Sequence, residues 1–287
     1  MIKDYYTLTK PGIVYGNALT AIAGFLVASR GDINVGLLLL TVIGISLVIA
    51  SGCVFNNYID RDIDAKMDRT KHRVLVRGTI TTRNALIYGT ILGVLGLSIL
   101  FTYTNGVTGI VSFLGLFVYV VFYSLWLKRV SIYGVHMGSV AGAVPLLVGY
   151  LSVSGVIDIG AIILFCILAL WQMPHSYAIG IYRLHDYQNA KIPVLPAQKG
   201  IMRTKVEIII YTVLFVFATL LLTSHGYTGW IYFLVMAVMG VLWLLIESRG
   251  LYMNEQSDKV WAKQVFLFSI FVLVTFCVVI FFERIVY

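Results

Sequence analysis

The chain has 287 residues, 60% of them hydrophobic and only 12% charged, with a mean hydropathy of +0.92 and a net charge of +8. So few polar residues cannot coat a soluble globule of this size, and the composition implies an integral membrane protein. The basic residues lie between apolar runs, a pattern of membrane orientation that argues against nucleic-acid binding.

Taking about 20 apolar residues as one bilayer crossing, the sequence predicts nine helices, near 12–29, 35–56, 84–103, 107–127, 133–153, 157–183, 206–224, 227–246 and 264–282. With a cytoplasmic N-terminus, every one of the 21 Lys and Arg residues except Arg30 and Arg284 falls on the cytoplasmic side, and the C-terminus lies outside. The expectation is an all-α polytopic membrane protein. A single domain over 1–287 bundles nine transmembrane helices around a central cavity open toward the cytoplasmic side. Lys3 and Lys10 ahead of an apolar segment suggest a secretory signal, but Pro11, Gly12 and Asn17 interrupt it and further spans follow, so an uncleaved first helix is expected. Cys53, Cys166 and Cys277 sit far apart in apolar runs and read as core residues without a disulfide framework.

The first span opens TKPGIVYGN, where Lys10 suits the headgroups, Pro11 suits a first helical turn, and Asn17 reads as a helix-to-helix hydrogen bond. Directly behind the second span comes NNYIDRDIDAKMDRTKHRVLVR, residues 56–77. Asn56, Asp60 and Asp64 are spaced i, i+4, i+8, so a helix continuing through them stacks three oxygen ligands on one face. Hard cations such as Mg²⁺ take such oxygens and leave other positions to water and phosphate. Lys66, Arg69, Lys71, Arg73 and Arg77 follow, as an anionic substrate would require, although an ordinary cytoplasmic loop is also basic.

Span four ends VFYSLWLKR, with Tyr123 and Trp126 where an aromatic belt belongs and Lys128 and Arg129 at the surface. Span five carries Gly134, Gly138, Gly142, Pro145 and Gly149, a pattern of close helix contact, and His136 reads as an interhelical hydrogen bond. Span six runs ALWQMPHSYAIGIYRLHDYQNAKIPVLP, where Pro174 is expected to kink the helix beside Trp171, Gln172 and His175 and to line a cavity. Tyr182, Arg183, His185, Asp186, Tyr187 and Lys191 then reach the same face as the first charged block, as a second half of the site. Spans seven to nine read as scaffold, and no Walker A loop, GxSxG elbow or HExxH motif is present. A metal-chelating column, flanking cations and an aromatic cavity in lipid together suit a diphosphate with a greasy tail, such as a prenyl diphosphate. A transporter would instead place charge in mid-membrane.

The segment NNYIDRDIDAKMDRTKHRVLVRG resembles the first signature of the intramembrane aromatic prenyltransferases related to the ubiquinone-pathway enzyme. Their Asn-x3-Asp-x3-Asp core falls on Asn56, Asp60 and Asp64, with Asn57 where many members have Asp. TKPGIVYGN, MDRTKHR, YSLWLKR and LWQMPHSYAIGIYRLHDYQNAKIPVLP further resemble the protohaem IX farnesyltransferase family, over nearly the whole chain. The resemblance implies farnesyl diphosphate as donor, the haem B 2-vinyl group as acceptor, Mg²⁺ as cofactor and haem O as product, in a bacterial inner membrane. It also makes a haem A synthase or a terminal oxidase a candidate partner.

On this resemblance Asn56, Asp60 and Asp64 hold Mg²⁺-diphosphate, and Arg69, Arg73 and Lys128 are diphosphate partners. The second acidic signature is reduced to Asp186, a candidate for one metal. Arg183 and Lys191 are candidates for diphosphate or a haem propionate, and Trp171 and Tyr182 for the substrate wall. His175 is a candidate iron ligand, with a hydrogen-bonded structural His as the alternative. A prenyltransferase acting on a quinone precursor would keep the first signature and lack the WQMPH and HDYQNAKIPVLP features.

Overall fold

The computed structural model describes residues 2–253 and 255–285. Among these there is no strand, and nine helices are long and apolar enough to cross a membrane: Pro11–Ser29, Val35–Ile59, Thr82–Tyr103, Gly106–Val130, Gly134–Ser154, Ile159–Tyr182, Ile201–Ser224, Trp230–Tyr252 and Gln256–Arg284. They are spans 1 to 9 below. Large apolar side chains such as Leu39, Ile91, Phe113, Phe217, Leu234 and Phe271 project outward from the bundle, a surface suited to lipid rather than water.

Each span packs against the next, and span 9 closes on span 1. Spans 1 and 5 also meet across the middle. There a Cβ on Gly24 would fall on the Leu146 carbonyl, and one on Gly149 on the Ala21 carbonyl, so the two backbones touch. This seam occupies the half of the bundle away from the charged block. Toward the charged end the two spans part, and the space between them is the central cavity.

Spans 7 and 9 begin earlier than hydropathy places them, because their polar first turns are paired. Arg203 meets Glu207 at 2.6 Å along span 7, and the buried Lys205 ammonium meets Asp258 of span 9 at 2.5 Å with its Nζ 5.5 Å from the Trp261 ring. Span 6 stays helical through Pro174, without the expected break. Span 2 ends at Ile59, yet the hydrogen-bond spacing continues through Asp60, whose N–H donates to the Asn56 carbonyl (2.9 Å) and whose carbonyl accepts from Asp64 N–H (2.7 Å).

Span 4 holds the largest departure from expectation. From Val118 to Leu127 it is π-helical, and the Lys128 N–H donates to the carbonyl of Tyr123, five residues back. In an α-helix Tyr119 and Lys128 are about two and a half turns apart and would point to opposite sides. The wider π turn brings Tyr119, Tyr123 and Lys128 to one wall of the cavity.

Candidate functional site

The cavity has a volume of about 650 Å³ and is walled by spans 1, 2, 4, 5, 6 and 9 with the segments that follow spans 2 and 6. Its charged end is built on the end of span 2. Asp60 is fully buried. Its Oδ2 pairs with Lys128 Nζ and accepts from Asn56 Nδ2 at 2.8 Å, while its Oδ1 is buried without a hydrogen-bond partner. Asn56 Nδ2 also donates to Ser124 Oγ (3.0 Å), and its Oδ1 accepts from Lys10 Nζ (2.5 Å). One turn on, Asp64 Oδ2 meets Arg73 Nη1 at 2.5 Å. Carboxylates and cations thus alternate around one opening, so each buried charge has a counter-charge.

The turn carrying these acids is fastened from outside. Arg129 donates to both oxygens of Asp62 (2.9 and 2.7 Å) and to the Ile59 carbonyl (2.6 Å). This guanidinium holds the Asp62 carboxyl down to about 2, below the usual carboxylate range.

Lys10 is a site residue that sequence reasoning assigned to the headgroups. It has φ 53, a left-handed conformation rare for a residue with a Cβ, at the joint between the short helix Ile2–Leu8 and span 1. That joint turns its side chain into the cavity. Burial, with Arg73 nearby, brings its amine down to about 8.

Tyr119 and Tyr123 line the cavity with rings stacked at 5.6 Å, and Lys128 Nζ lies 5.8 Å from the Tyr123 ring. Belt anchoring therefore describes the exposed Trp126 but not Tyr123. Asn17 lines the cavity too, and bonds its own helix at the Ile13 carbonyl (2.8 Å) rather than another helix.

Below the charged ring and beside the seam lie two recesses. One, between spans 2, 4 and 5, is apolar and walled by Ile45, Val48, Ile49, Ser112, Leu116 and Val144. Its end is plugged by a buried cluster in which Ile45, Val48 and Val144 pack with Ala21, Leu100 and Val148. From Asn56 to Ile45 span 2 descends by about 16 Å. Gly52 lies one turn below Asn56, where a Cβ would come 3.1 Å from the Tyr119 ring. The other recess, between spans 5, 6 and 9, is more polar, with Gln172, His175 and Ser176 on its wall.

Gln172 fits because Gly142 faces it without a Cβ, and its Nε2 donates to the Ser139 carbonyl (3.3 Å). His175 stacks on Trp171 (4.7 Å, 25°) and shares a 2.7 Å hydrogen bond between its Nδ1 and Ser269 Oγ. Its Nε2 has no hydrogen bond among the described residues. Trp171 is itself held by Nε1 donating to the Ser269 carbonyl (2.8 Å). His136 faces elsewhere, bonding the Tyr211 hydroxyl at 3.0 Å.

Of the residues expected from the sequence, the structure brings Asn56, Asp60, Asp64, Arg69, Arg73, Lys128, Trp171 and His175 to the cavity wall. Tyr182, Arg183, Asp186 and Lys191 do not line it. Span 6 ends at Tyr182, whose ring Arg183 covers at 4.5 Å, and the chain turns into the short helix Leu184–Asn189. That turn presents Tyr187 and then Ile192–Leu195 to the cavity and leaves Lys191 exposed, at φ 55. Asp186 is buried behind Tyr187.

The description "UbiA prenyltransferase family" matches residues 17–281. The chain is 52% identical over 270 residues to the protoheme IX farnesyltransferase of Sodalis glossinidius, covering 94% of this chain and 91% of that protein. It is 54% identical over 271 residues to the protein of the same name from Chromohalobacter salexigens, with the same coverage. Among solved structures it superposes on a digeranylgeranylglyceryl phosphate synthase with a TM-score of 0.82 at 20% identity, covering 100% and 99% of the two chains. A UbiA homolog from Archaeoglobus fulgidus bound to GPP and Mg²⁺ gives a TM-score of 0.71 at 15% identity, over 94% and 99%. A nine-span bundle whose acidic end guards a cavity and a sequence match along nearly its whole length lead to the same assignment: this chain belongs to the UbiA prenyltransferase family.

Proposed function

We propose that this chain is a protohaem IX farnesyltransferase, which moves the farnesyl group of farnesyl diphosphate onto the 2-vinyl group of haem B to make haem O. One observation carries the reading. A ring of cations and carboxylates opens onto an apolar recess on one side and an aromatic, polar recess on the other, in a chain 52% identical over 94% of its length to an enzyme of that name.

Asn56, Asp60 and Asp64 are the residues that would hold Mg²⁺, and their chemistry fits. All three offer oxygen, and the buried, unpartnered Oδ1 of Asp60 is an atom a cation would satisfy. Among the described residues no group of three or more His, Cys, Asp or Glu side chains could hold a metal ion, so diphosphate and water complete the shell, as Mg²⁺ favours. Bound there, the ion supplies neutralisation of diphosphate charge.

The chain's own residues do the rest. Lys10, Arg69, Arg73 and Lys128 converge on the same opening and stabilise the charge that grows on diphosphate as the farnesyl C–O bond breaks and the electron pair leaves with oxygen. The faces of Tyr119 and Tyr123 flank the place where the allylic cation is left, and the apolar recess holds the tail and excludes water. The vinyl terminal carbon gives its π electrons to the new C–C bond. Water captures the resulting cation beside the porphyrin and loses a proton. His175, with Nε2 toward the second recess, is the residue placed to ligate the haem iron, and Trp171 to stack beside it. The Lys and Arg distribution supports a cytoplasmic charged end and N-terminus in the inner membrane, with the whole chain as one domain.

The test is purified protein in detergent with haem B, farnesyl diphosphate and Mg²⁺, read by mass. A haem heavier by one farnesyl group and one water supports the reading. Unchanged haem with prenylation of a quinone precursor would refute the acceptor and keep the family's chemistry.

A further inference from the structure

Beside the main cavity lies a second pocket of about 450 Å³, between the short helix Ile2–Leu8 and the segment that follows span 2. Its wall carries Lys3, Lys10, Arg69, Arg73, Arg77 and His72, and Asp4 is its only carboxylate. Lys10, Arg69 and Arg73 line both chambers, so the partition between them is made of cations. Two of these lean on the acidic column, Lys10 on Asn56 and Arg73 on Asp64. The far side is looser. Arg77 reaches Asp4 only at 3.9 Å, and Lys3 and Arg69 make no side-chain hydrogen bond or ion pair among the described residues.

From this arrangement the geometry points to a second anion site, a vestibule that receives the diphosphate leaving group after transfer. This rests on the donor reading of the main cavity. Once the tail has gone to the acceptor, diphosphate is a small, highly charged anion held by every cation around the acidic column, and leaving for water in one step is slow. A neighbouring set of cations, reached across residues that already touch the anion, divides that step in two, since stepwise sites bind well enough to draw an ion in and weakly enough to let it go. The outer rim suits the weak site, because Lys3, Arg69, His72 and Arg77 are exposed and screened. The shared chemistry is a phosphate-rich anion, and the other source of it is the headgroup of an acidic lipid beside the helix Ile2–Leu8.

The experiment saturates the protein in detergent with Mg²⁺ and farnesyl thiolodiphosphate, an uncleavable donor analogue, and titrates it with labelled inorganic diphosphate. The saturated wild type is expected to bind one further diphosphate, and the Lys3→Gln/Arg77→Gln double variant to bind it about tenfold more weakly with analogue affinity unchanged. Neither residue belongs to the donor site. A saturated protein that takes up no diphosphate, or a double variant that binds it as tightly as wild type, overturns the proposal. Protein that rejects the analogue yet binds diphosphate through Lys3 and Arg77 removes the donor reading and leaves the anion site standing. Repeating the titration in nanodiscs with and without phosphatidylglycerol separates the sources. Binding unchanged by the acidic lipid supports the leaving-group role, and complete displacement assigns the pocket to lipid and overturns it.

Discussion

Asp60→Asn separates what the acidic column does for stability from what it does for chemistry. The substitution keeps the shape and removes the charge that faces Lys128, whose side chain is 18% exposed against 1% for Asp60. Removing one partner of a buried pair costs about 3–5 kcal/mol because the other charge is left uncompensated. Lys128 borders an open cavity and water can reach it, so the lower end, about 3 kcal/mol, is expected here. Asp60→Asn/Lys128→Met deletes the stranded charge and should recover most of that loss. Turnover behaves differently, because both variants lack the carboxylate and should lose at least about a hundredfold in kcat. The assay pairs thermal inactivation in detergent with haem product formation for the wild type, the single variant and the double variant. A single variant as stable as wild type would show that the pair does not hold Lys128, and recovered turnover in the double variant would remove Asp60 from the chemistry.

Arg73→Gln deprives Asp64 of its partner and the donor of a cation, so KM for farnesyl diphosphate should rise about tenfold or more; an unchanged KM would remove Arg73 from the donor site. Chelation with EDTA should abolish turnover and leave the inactivation temperature nearly unchanged, because Lys128 and Arg73 already neutralise the acids without metal; a chelated protein that unfolds would contradict this. Ser112→Phe puts a ring at the closed end of the apolar recess and should shift kcat/KM from farnesyl toward geranyl diphosphate by about tenfold or more; an unaltered ratio would place the tail elsewhere. Gly24→Ala drives a methyl group into the Leu146 carbonyl and should lower stability by about 1–3 kcal/mol, read by the same inactivation assay.

Much of this arrangement was legible in the sequence, for reasons that differ by residue. The spans follow from hydropathy, and Asn56, Asp60 and Asp64 from charge stacked at helical spacing where a membrane boundary must fall. Lys10 was not legible because its direction depends on one left-handed residue between two helices. Tyr123 reads as a belt residue only if span 4 is taken as an α-helix, and nothing in its apolar sequence announces a π turn. Arg183 and Lys191 look like the counterpart of the first charged block when counted along the chain. The turn after Tyr182 sends Tyr187 and the apolar run behind it to the cavity instead. The early starts of spans 7 and 9 were hidden because a pairing such as Lys205 with Asp258 joins residues far apart in sequence.

The π-helical stretch also bears on how related sequences should be aligned. Deleting one residue between Val118 and Leu127 would tighten the wide turn and swing everything after it by about 100°. Lys128 would leave Asp60, and Arg129 would leave Asp62, while span length, hydropathy and terminal charge stayed almost unchanged. A single-residue gap there would go unnoticed in a comparison of apolar segments. It would nevertheless separate proteins able to close this charged ring from those that cannot.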